Sequence, residues 1–238
     1  MMRHLISNSY ASNSVIEVNY IRHGEATLLD SDGKQNLISQ ISFDNMILTD
    51  MGESQAYNAG KEIIKRISEN EKIILIYSPI KRTSQTAKII RKEFKERSVI
   101  IDDLIIRKSI KTATGLDRFK NEFNMLTGND LFDKWIKSSH SSNISYLESY
   151  QSVVNRFKLF LRYVLNFRIR YPNSRIRIVA VGHAELPDYI MVKFFKSYGL
   201  ANGEILNIKI YENNKVLLSI TGACDNSEVS GTLKDLFE

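Results

Sequence analysis

A chain of 238 residues, 43% hydrophobic and 25% charged with 11 glycines and three prolines, has the composition of a globular protein able to bury a large core, which excludes collagen-like and wholly disordered chains. Even its most apolar stretch, Phe157 to Phe167, carries Lys158 and Arg162, so no run meets the roughly 20 apolar residues of a membrane span. A net charge of +6 favours acidic partners, and the single cysteine, Cys224, excludes an internal disulfide or a thiolate metal cluster and fits the reducing cytoplasm.

Residues 1–14, rich in Ser and Asn, lack the apolar core of a signal peptide and are expected to form a flexible tail ahead of a single domain over 15–238. Short β-branched runs then alternate with segments of helical period, the pattern of an α/β chain. Val15 to Ile21 sets Ile16, Val18 and Tyr20 against Glu17 and Asn19, which predicts a strand ending in Arg22-His23-Gly24. Thr49 is placed to cap a helix whose inner face is Ala56, Ala59, Ile63 and Ile67. A second strand is expected at Ile73 to Tyr77, after which Ser78 caps and Pro79 opens a helix burying Ile80, Ala87, Ile90 and Phe94. A third strand follows at Val99 to Ile101.

From about 104 to 145 the pattern is weak, with Gly115, Gly128 and a Ser/Asn cluster at Ser138 to Ser145, and an insertion of irregular helices covering the substrate is expected there. The strongest helical signal runs from about Glu148 to Arg168 and carries Val153, Val154, Phe157, Phe160, Leu161 and Val164. Arg175 to Val181 predicts a strand ending in Gly182-His183. A helix starting near Leu186 and Pro187 is expected to bury Ile190, Met191, Phe194 and Phe195. Strands at Glu204 to Tyr211 and Lys215 to Ile220 form a closing hairpin, for which Asn213-Asn214 suits the turn.

Strand-end junctions thus carry Arg22 with His23, Arg82 just past Ser78-Pro79, and His183. In an open α/β sheet the C-terminal strand ends line one crevice, where these side chains can converge. Guanidinium groups pair with phosphoryl oxygens, and a neutral imidazole attacks phosphorus, so the set points to phosphoryl transfer through a phosphohistidine. No carboxylate, His or Cys cluster has ligand spacing, and neither metal nor cofactor is expected. His4 and His140 read as surface residues, Glu25 and Glu53 as solvated or structural. The basic run Lys81 to Arg97 reads as an exposed helix face, and Arg168, Arg170, Arg175 and Arg177 as surrounding a turn.

Tyr20-Ile21-Arg22-His23-Gly24-Glu25-Ala26 resembles the Arg-His-Gly signature of the histidine phosphatase superfamily, in its phosphoglycerate-mutase-like branch. Further blocks resemble the family in order: Leu48-Thr49-Asp50-Met51-Gly52-Glu53-Ser54-Gln55-Ala56, then Ser78-Pro79-Ile80-Lys81-Arg82-Thr83-Ser84-Gln85-Thr86-Ala87, then Glu148-Ser149 with Arg156, and last Val181-Gly182-His183. The resemblance implies a three-layer α/β/α sandwich with a mostly parallel central sheet and a C-terminal hairpin. It implies a metal-independent phosphatase acting on a phosphorylated small molecule or phosphoprotein, with His23 the phosphorylated nucleophile and Arg22, Arg82 and His183 binding the phosphoryl group.

The branch's usual acid, a Glu a few residues past the third strand, is missing from Asp102-Asp103-Leu104-Ile105-Ile106-Arg107-Lys108. Gly182-His183-Ala184-Glu185 instead is similar to the His-Ala-Glu tripeptide of some inositol-polyphosphate phosphatases, in which that Glu donates the proton, so Glu185 is the candidate acid ahead of Asp102 and Asp103. The branch's common Asn after the first motif is replaced by Leu28-Leu29. Two alternatives stay within this reading: a weakened homologue that only binds a phosphorylated ligand or partner, and a phosphomutase that shields its phosphohistidine from water. A nucleic-acid-binding module has only the positive charge to support it, since no phosphate loop, zinc finger or RNA-recognition motif is present, and neither a nucleic acid nor a membrane partner is expected.

Overall fold

The structure, a computed structural model, describes residues 14–27, 45–94, 99–101, 110, 112–115, 130, 133–137, 146–171, 174–222 and 227–238. Asp102, Asp103, His4, His140, Cys224 and almost all of the expected tail lie outside these residues.

Strand β1 (Ser14–Arg22) leads into a small ribbon of β2 (Ala26–Thr27) and β3 (Ile47–Leu48), then α1 (Asp50–Ile64), β4 (Glu71–Tyr77), α2 (Lys81–Glu93) and β5 (Val99–Ile101). Helix α3 (Tyr150–Arg170) precedes β6 (Arg175–Gly182), and α4 (Asp188–Ile190) precedes β7 (Ile205–Tyr211), β8 (Lys215–Thr221) and β9 (Glu228–Thr232). Seven strands make one sheet in the order β5-β4-β6-β1-β7-β8-β9. Its β5-β4-β6-β1 half is parallel and carries the site, and its β7-β8-β9 half is antiparallel.

The period-2 pattern of the strands explains the layers. Ile16, Val18 and Tyr20 of β1, Ile74 and Ile76 of β4, and Ile178 and Ala180 of β6 face α3, which meets them with Val153, Phe157, Phe160, Leu161 and Val164. Ile21, Ile73, Leu75, Val179 and Val181 point the other way, toward Ala59 and Ile63 of α1 and Ala87 and Ile90 of α2. Each such side chain removed from water stabilises the fold by about 2 kcal/mol before the entropy of ordering it is counted. Ile110, Ala113 and Trp135, from the poorly patterned stretch after β5, join the core on the α3 side, and 133–137 is helical. No helix among the described residues is long and apolar enough to cross a membrane.

Several local expectations are met atom by atom. Thr49 caps α1, its Oγ1 accepting from Gly52 N–H at 3.0 Å. Asn214 supplies the left-handed residue of the β7–β8 turn at φ 62°. Others are corrected. Ser78 does not cap α2: the N-cap is Ile80, without a side-chain bond, and the Thr83 hydroxyl instead fixes the preceding turn, its one proton shared between the Ser78 and Ile80 carbonyls, both at 2.7 Å. The helix expected at Leu186 begins only at Asp188 and passes at Met191–Phe195 into a π-helical turn ended by Lys196 at φ 54°, which leaves Phe194 and Phe195 half-buried. Arg177 is no turn residue but a buried one, 1% exposed. Strand β9 has no counterpart among the expected elements.

Candidate active site

Parallel pairing brings the strand ends level. Arg22 lies opposite Gly182 across β1–β6, and Tyr77 opposite Val181 across β4–β6. The bonds continue one step past the strands, with His23 N–H donating to the Gly182 carbonyl at 3.1 Å and Ser78 N–H to that of Val181 at 3.0 Å. Beyond His23 the chain passes so close to α1 that a Cβ on Gly24 would overlap the Gly52 carbonyl and one on Gly52 would overlap that of Glu25, so glycine is required at both.

The remaining motif residues hold this turn. Gly24 N–H donates to Thr86 Oγ1 at 3.1 Å, Glu25 N–H to Gln55 Oε1 at 2.8 Å, and Leu48 N–H to Gln85 Oε1 at 3.1 Å. The exposed Glu25 carboxylate accepts from Thr49 Oγ1 at 2.9 Å and is structural, as expected.

Three side chains meet in the crevice. His23 Nδ1 lies 2.7 Å from the Gly24 carbonyl, which only accepts, so Nδ1 carries the ring proton and Nε2 presents its lone pair. That lone pair accepts from Arg82 Nε at 3.0 Å. Burial, then the neighbouring His183 and Arg82, hold the His23 pKa well below the ordinary histidine value, so the ring is neutral at pH 7. A terminal nitrogen of Arg82 also lies 3.3 Å from His183 Nδ1. Because arginine only donates, His183 is protonated on Nε2, which faces Ser78 Oγ at 3.3 Å. The two imidazoles stand edge to face, with centroids 5.2 Å apart.

Tyr20 fixes His183 from below. Its hydroxyl accepts from the His183 N–H and donates to the His183 carbonyl, each at 2.9 Å, and fills the space where a Cβ on Gly182 would stand. Burial and then the Glu185 carboxylate push its pKa well above the usual value, so it stays a donor. Phe157 and Phe160 of α3 pack on the Tyr20 ring at 5.3 and 6.5 Å, which ties the helix's apolar face to the site.

Arg22 anchors on the Leu200 carbonyl at 2.8 Å, while its Nε, also buried, has no hydrogen-bond partner among the described residues. Burial lowers the Arg22 pKa and the Glu185 carboxylate opposes that shift, so the two charges sense each other. Glu185 is 5% exposed, and its Oε1 accepts from Thr112 Oγ1 at 2.5 Å and from Ala113 N–H at 3.1 Å. Among the described residues no three His, Cys, Asp or Glu side chains group as a metal site.

Arg82, His23 and His183 are thus in contact, with Arg22 and Glu185 bordering them. Sequence reasoning missed Tyr20, Ser78 and Thr112. A tyrosine on a face otherwise made of Ile and Val was a visible signal for the first, whereas Thr112 contacts a residue 73 positions away and left none.

The family model of the histidine phosphatase superfamily, branch 1, matches residues 19–221. No curated protein matches the chain. Among solved structures, an alpha-ribazole phosphatase from Shigella flexneri is 15% identical with a TM-score of 0.53, covering 82% of this chain and 91% of its own. The mycobacterial glucosyl-3-phosphoglycerate phosphatase is likewise 15% identical at a TM-score of 0.53, covering 81% and 89%. A mycobacterial hydrolase is 14% identical at 0.55, covering 89% and 99%. At these identities the likeness is one of fold, and the family rests on the model matched over residues 19–221. The chain belongs to branch 1 of the histidine phosphatase superfamily.

Proposed function

We propose that the protein hydrolyses a phosphomonoester, on a small molecule or a phosphoprotein, through a phosphohistidine on His23 Nε2 and without a metal. One observation carries this reading: a neutral His23 whose Nδ1 proton is committed to the Gly24 carbonyl, which leaves Nε2 to attack. In the first step the Nε2 lone pair forms the N–P bond as the P–O bond to the leaving group breaks, and Glu185 gives its proton to the departing oxygen. In the second, water attacks phosphorus, the N–P bond breaks, and Glu185 takes up a proton from the water as inorganic phosphate leaves. Arg82 must move from Nε2 onto a phosphoryl oxygen for attack to begin. Arg22, and His183 once its Nε2–H leaves Ser78 Oγ, donate to the others.

Two of the structural neighbours are themselves named phosphatases, which supports hydrolysis over phosphoryl migration. The test is a phosphoenzyme trap. Rapid acid-free denaturation of the protein turning over 32P-labelled acetyl phosphate should yield an acid-labile, base-stable label, and His23→Ala should abolish both label and turnover. Wild-type turnover in His23→Ala would overturn the assignment.

A further inference from the structure

We propose that Gln55 is a positioning residue for the nucleophile: by accepting the Glu25 N–H it sets and polarises the one peptide unit whose carbonyl holds the Nδ1 proton of His23. This rests on the proposal that His23 Nε2 attacks phosphorus.

Two bonds meet on that peptide. The Gly24 carbonyl lies 2.7 Å from His23 Nδ1, and the Glu25 N–H donates to Gln55 Oε1 at 2.8 Å. Both groups belong to the 24–25 peptide, whose trans bond sets carbonyl and N–H on opposite edges of one plane, so the unit is held from both sides. An acceptor on the N–H pushes electron density from the peptide nitrogen onto the carbonyl oxygen, which becomes a better acceptor for the imidazole. When Nε2 forms the N–P bond and the P–O bond to the leaving group breaks, Nδ1 keeps its proton, so the neutral ring becomes cationic. A carbonyl dipole already aimed at Nδ1 stabilises that charge more in the transition state than in the resting protein. In the resting protein the same carbonyl favours the charged ring against burial, His183, Arg82 and Arg22, which all disfavour it.

The fold fixes Gln55 in turn. Helix α1 is tied to the segment after His23 by the Thr49 N–H, which donates to the Glu25 carbonyl at 3.0 Å, and by the close approach of Gly24 and Gly52. Gly203, at φ 79°, lies where a Cβ would come within 2.9 Å of Gln55 Cβ, and its N–H donates to the Arg22 carbonyl at 3.1 Å. The stem of Gln55 thus packs on a loop that is bonded to the end of β1. Gly24 N–H is held separately, by Thr86 Oγ1, which donates to the Arg82 carbonyl at 2.9 Å. Removing the Gln55 acceptor therefore leaves the turn anchored and takes away one bond.

The experiment compares Gln55→Met, which keeps the length of the side chain without the acceptor, with Gln55→Glu, which keeps an acceptor oxygen. Two quantities are read: the proton resonance of His23 Nδ1–H in protein carrying 15N-histidine, assigned by its loss in His23→Ala, and the steady-state rate on p-nitrophenyl phosphate. In Gln55→Met the resonance should move upfield, the mark of a weaker hydrogen bond, and kcat should fall about fivefold with KM changed by less than about twofold. In Gln55→Glu the resonance should stay at or downfield of its wild-type position, and kcat should stay within about twofold of wild type. A wild-type resonance and kcat in Gln55→Met would overturn the inference, as would losses in Gln55→Glu equal to those in Gln55→Met, which would make Gln55 a packing residue. With a phosphoenzyme still trapped on His23, either result overturns the positioning role alone. Wild-type turnover in His23→Ala would overturn the nucleophile, and the inference with it.

Discussion

Arg82 Nε donates to His23 Nε2 across 3.0 Å, so one guanidinium covers the lone pair that the proposed mechanism uses as its nucleophile. The same charge helps to keep His23 neutral: burial is the largest cause of its lowered pKa, followed by His183 and Arg82. Only the neutral ring attacks, so the acid limb of kcat/KM should fall below the ordinary histidine value of about 6.5. Arg82→Ala removes a positive neighbour, which raises the His23 pKa, so the acid limb should move to higher pH while the plateau drops by about a hundredfold or more. A pH profile of the variant checks both, and a limb that stays in place would separate Arg82 from the tuning of His23.

Tyr20→Phe should damage stability and rate together. It leaves the buried N–H and carbonyl of His183 without their shared partner, a loss of about 2 kcal/mol that lowers Tm by roughly 4–8 °C in a chain of this size. Because His183 would be freed to shift against Arg82, kcat should fall about tenfold as well. Thermal unfolding and steady-state rates on p-nitrophenyl phosphate test the pair, and an unchanged kcat with lowered Tm would make Tyr20 purely structural.

What the sequence revealed and what it hid divide along physical lines. Arg22, His23 and His183 were legible because each sits at the end of a β-branched run, and such ends gather on one edge of a parallel sheet. Ser78 was misread because Ser-Pro favours a helix start, and only the fold shows that Ile80 is the N-cap, with no side-chain bond to the first turn. Arg177 lies two residues into a strand, next to a turn in sequence, and reads there as one of the residues surrounding that turn. Its burial comes from lateral pairing, Glu17 opposite it on β1 and Ile73 on β4, which alternation within one strand does not disclose. The π-helical turn at Met191–Phe195 has an ordinary apolar composition, and β9 is a short polar edge strand, so neither carries a periodic signal.

Chelation is expected to leave activity intact. Arg22, Arg82 and His183 border His23, and in the proposed mechanism their donors serve the phosphoryl oxygens in the place a divalent cation would take. Dialysis against EDTA followed by assay should give rates within about a fifth of the untreated protein. Loss restored by magnesium or manganese would sink the metal-independent mechanism.

Arg177 separates stability from catalysis. Its guanidinium bonds Glu17 Oε2 at 2.6 Å, Glu71 Oε1 at 3.1 Å and Asn19 Oδ1 at 2.9 Å, all within the sheet face that α1 and α2 leave to polar side chains. Asn19 in turn donates to Asn207 at 2.7 Å, and Arg66 reaches the same Asn207 oxygen at 3.2 Å, so the cluster spans β1, β4, β6 and β7. Arg177→Met keeps the apolar stem but takes from the largely buried Glu17 and Glu71 carboxylates the cation they share, with Lys209 Nζ still 3.6 Å from Glu17, a cost of about 3–5 kcal/mol. The catalytic end of β6 lies six residues further on, roughly 20 Å at strand spacing. Chemical denaturation should therefore show a midpoint far lower than wild type with an unchanged m-value, while kcat/KM of the folded protein stays within about twofold. A rate loss beyond tenfold at a concentration of folded protein confirmed by circular dichroism would mean that the strand starts and the strand ends are coupled through the sheet.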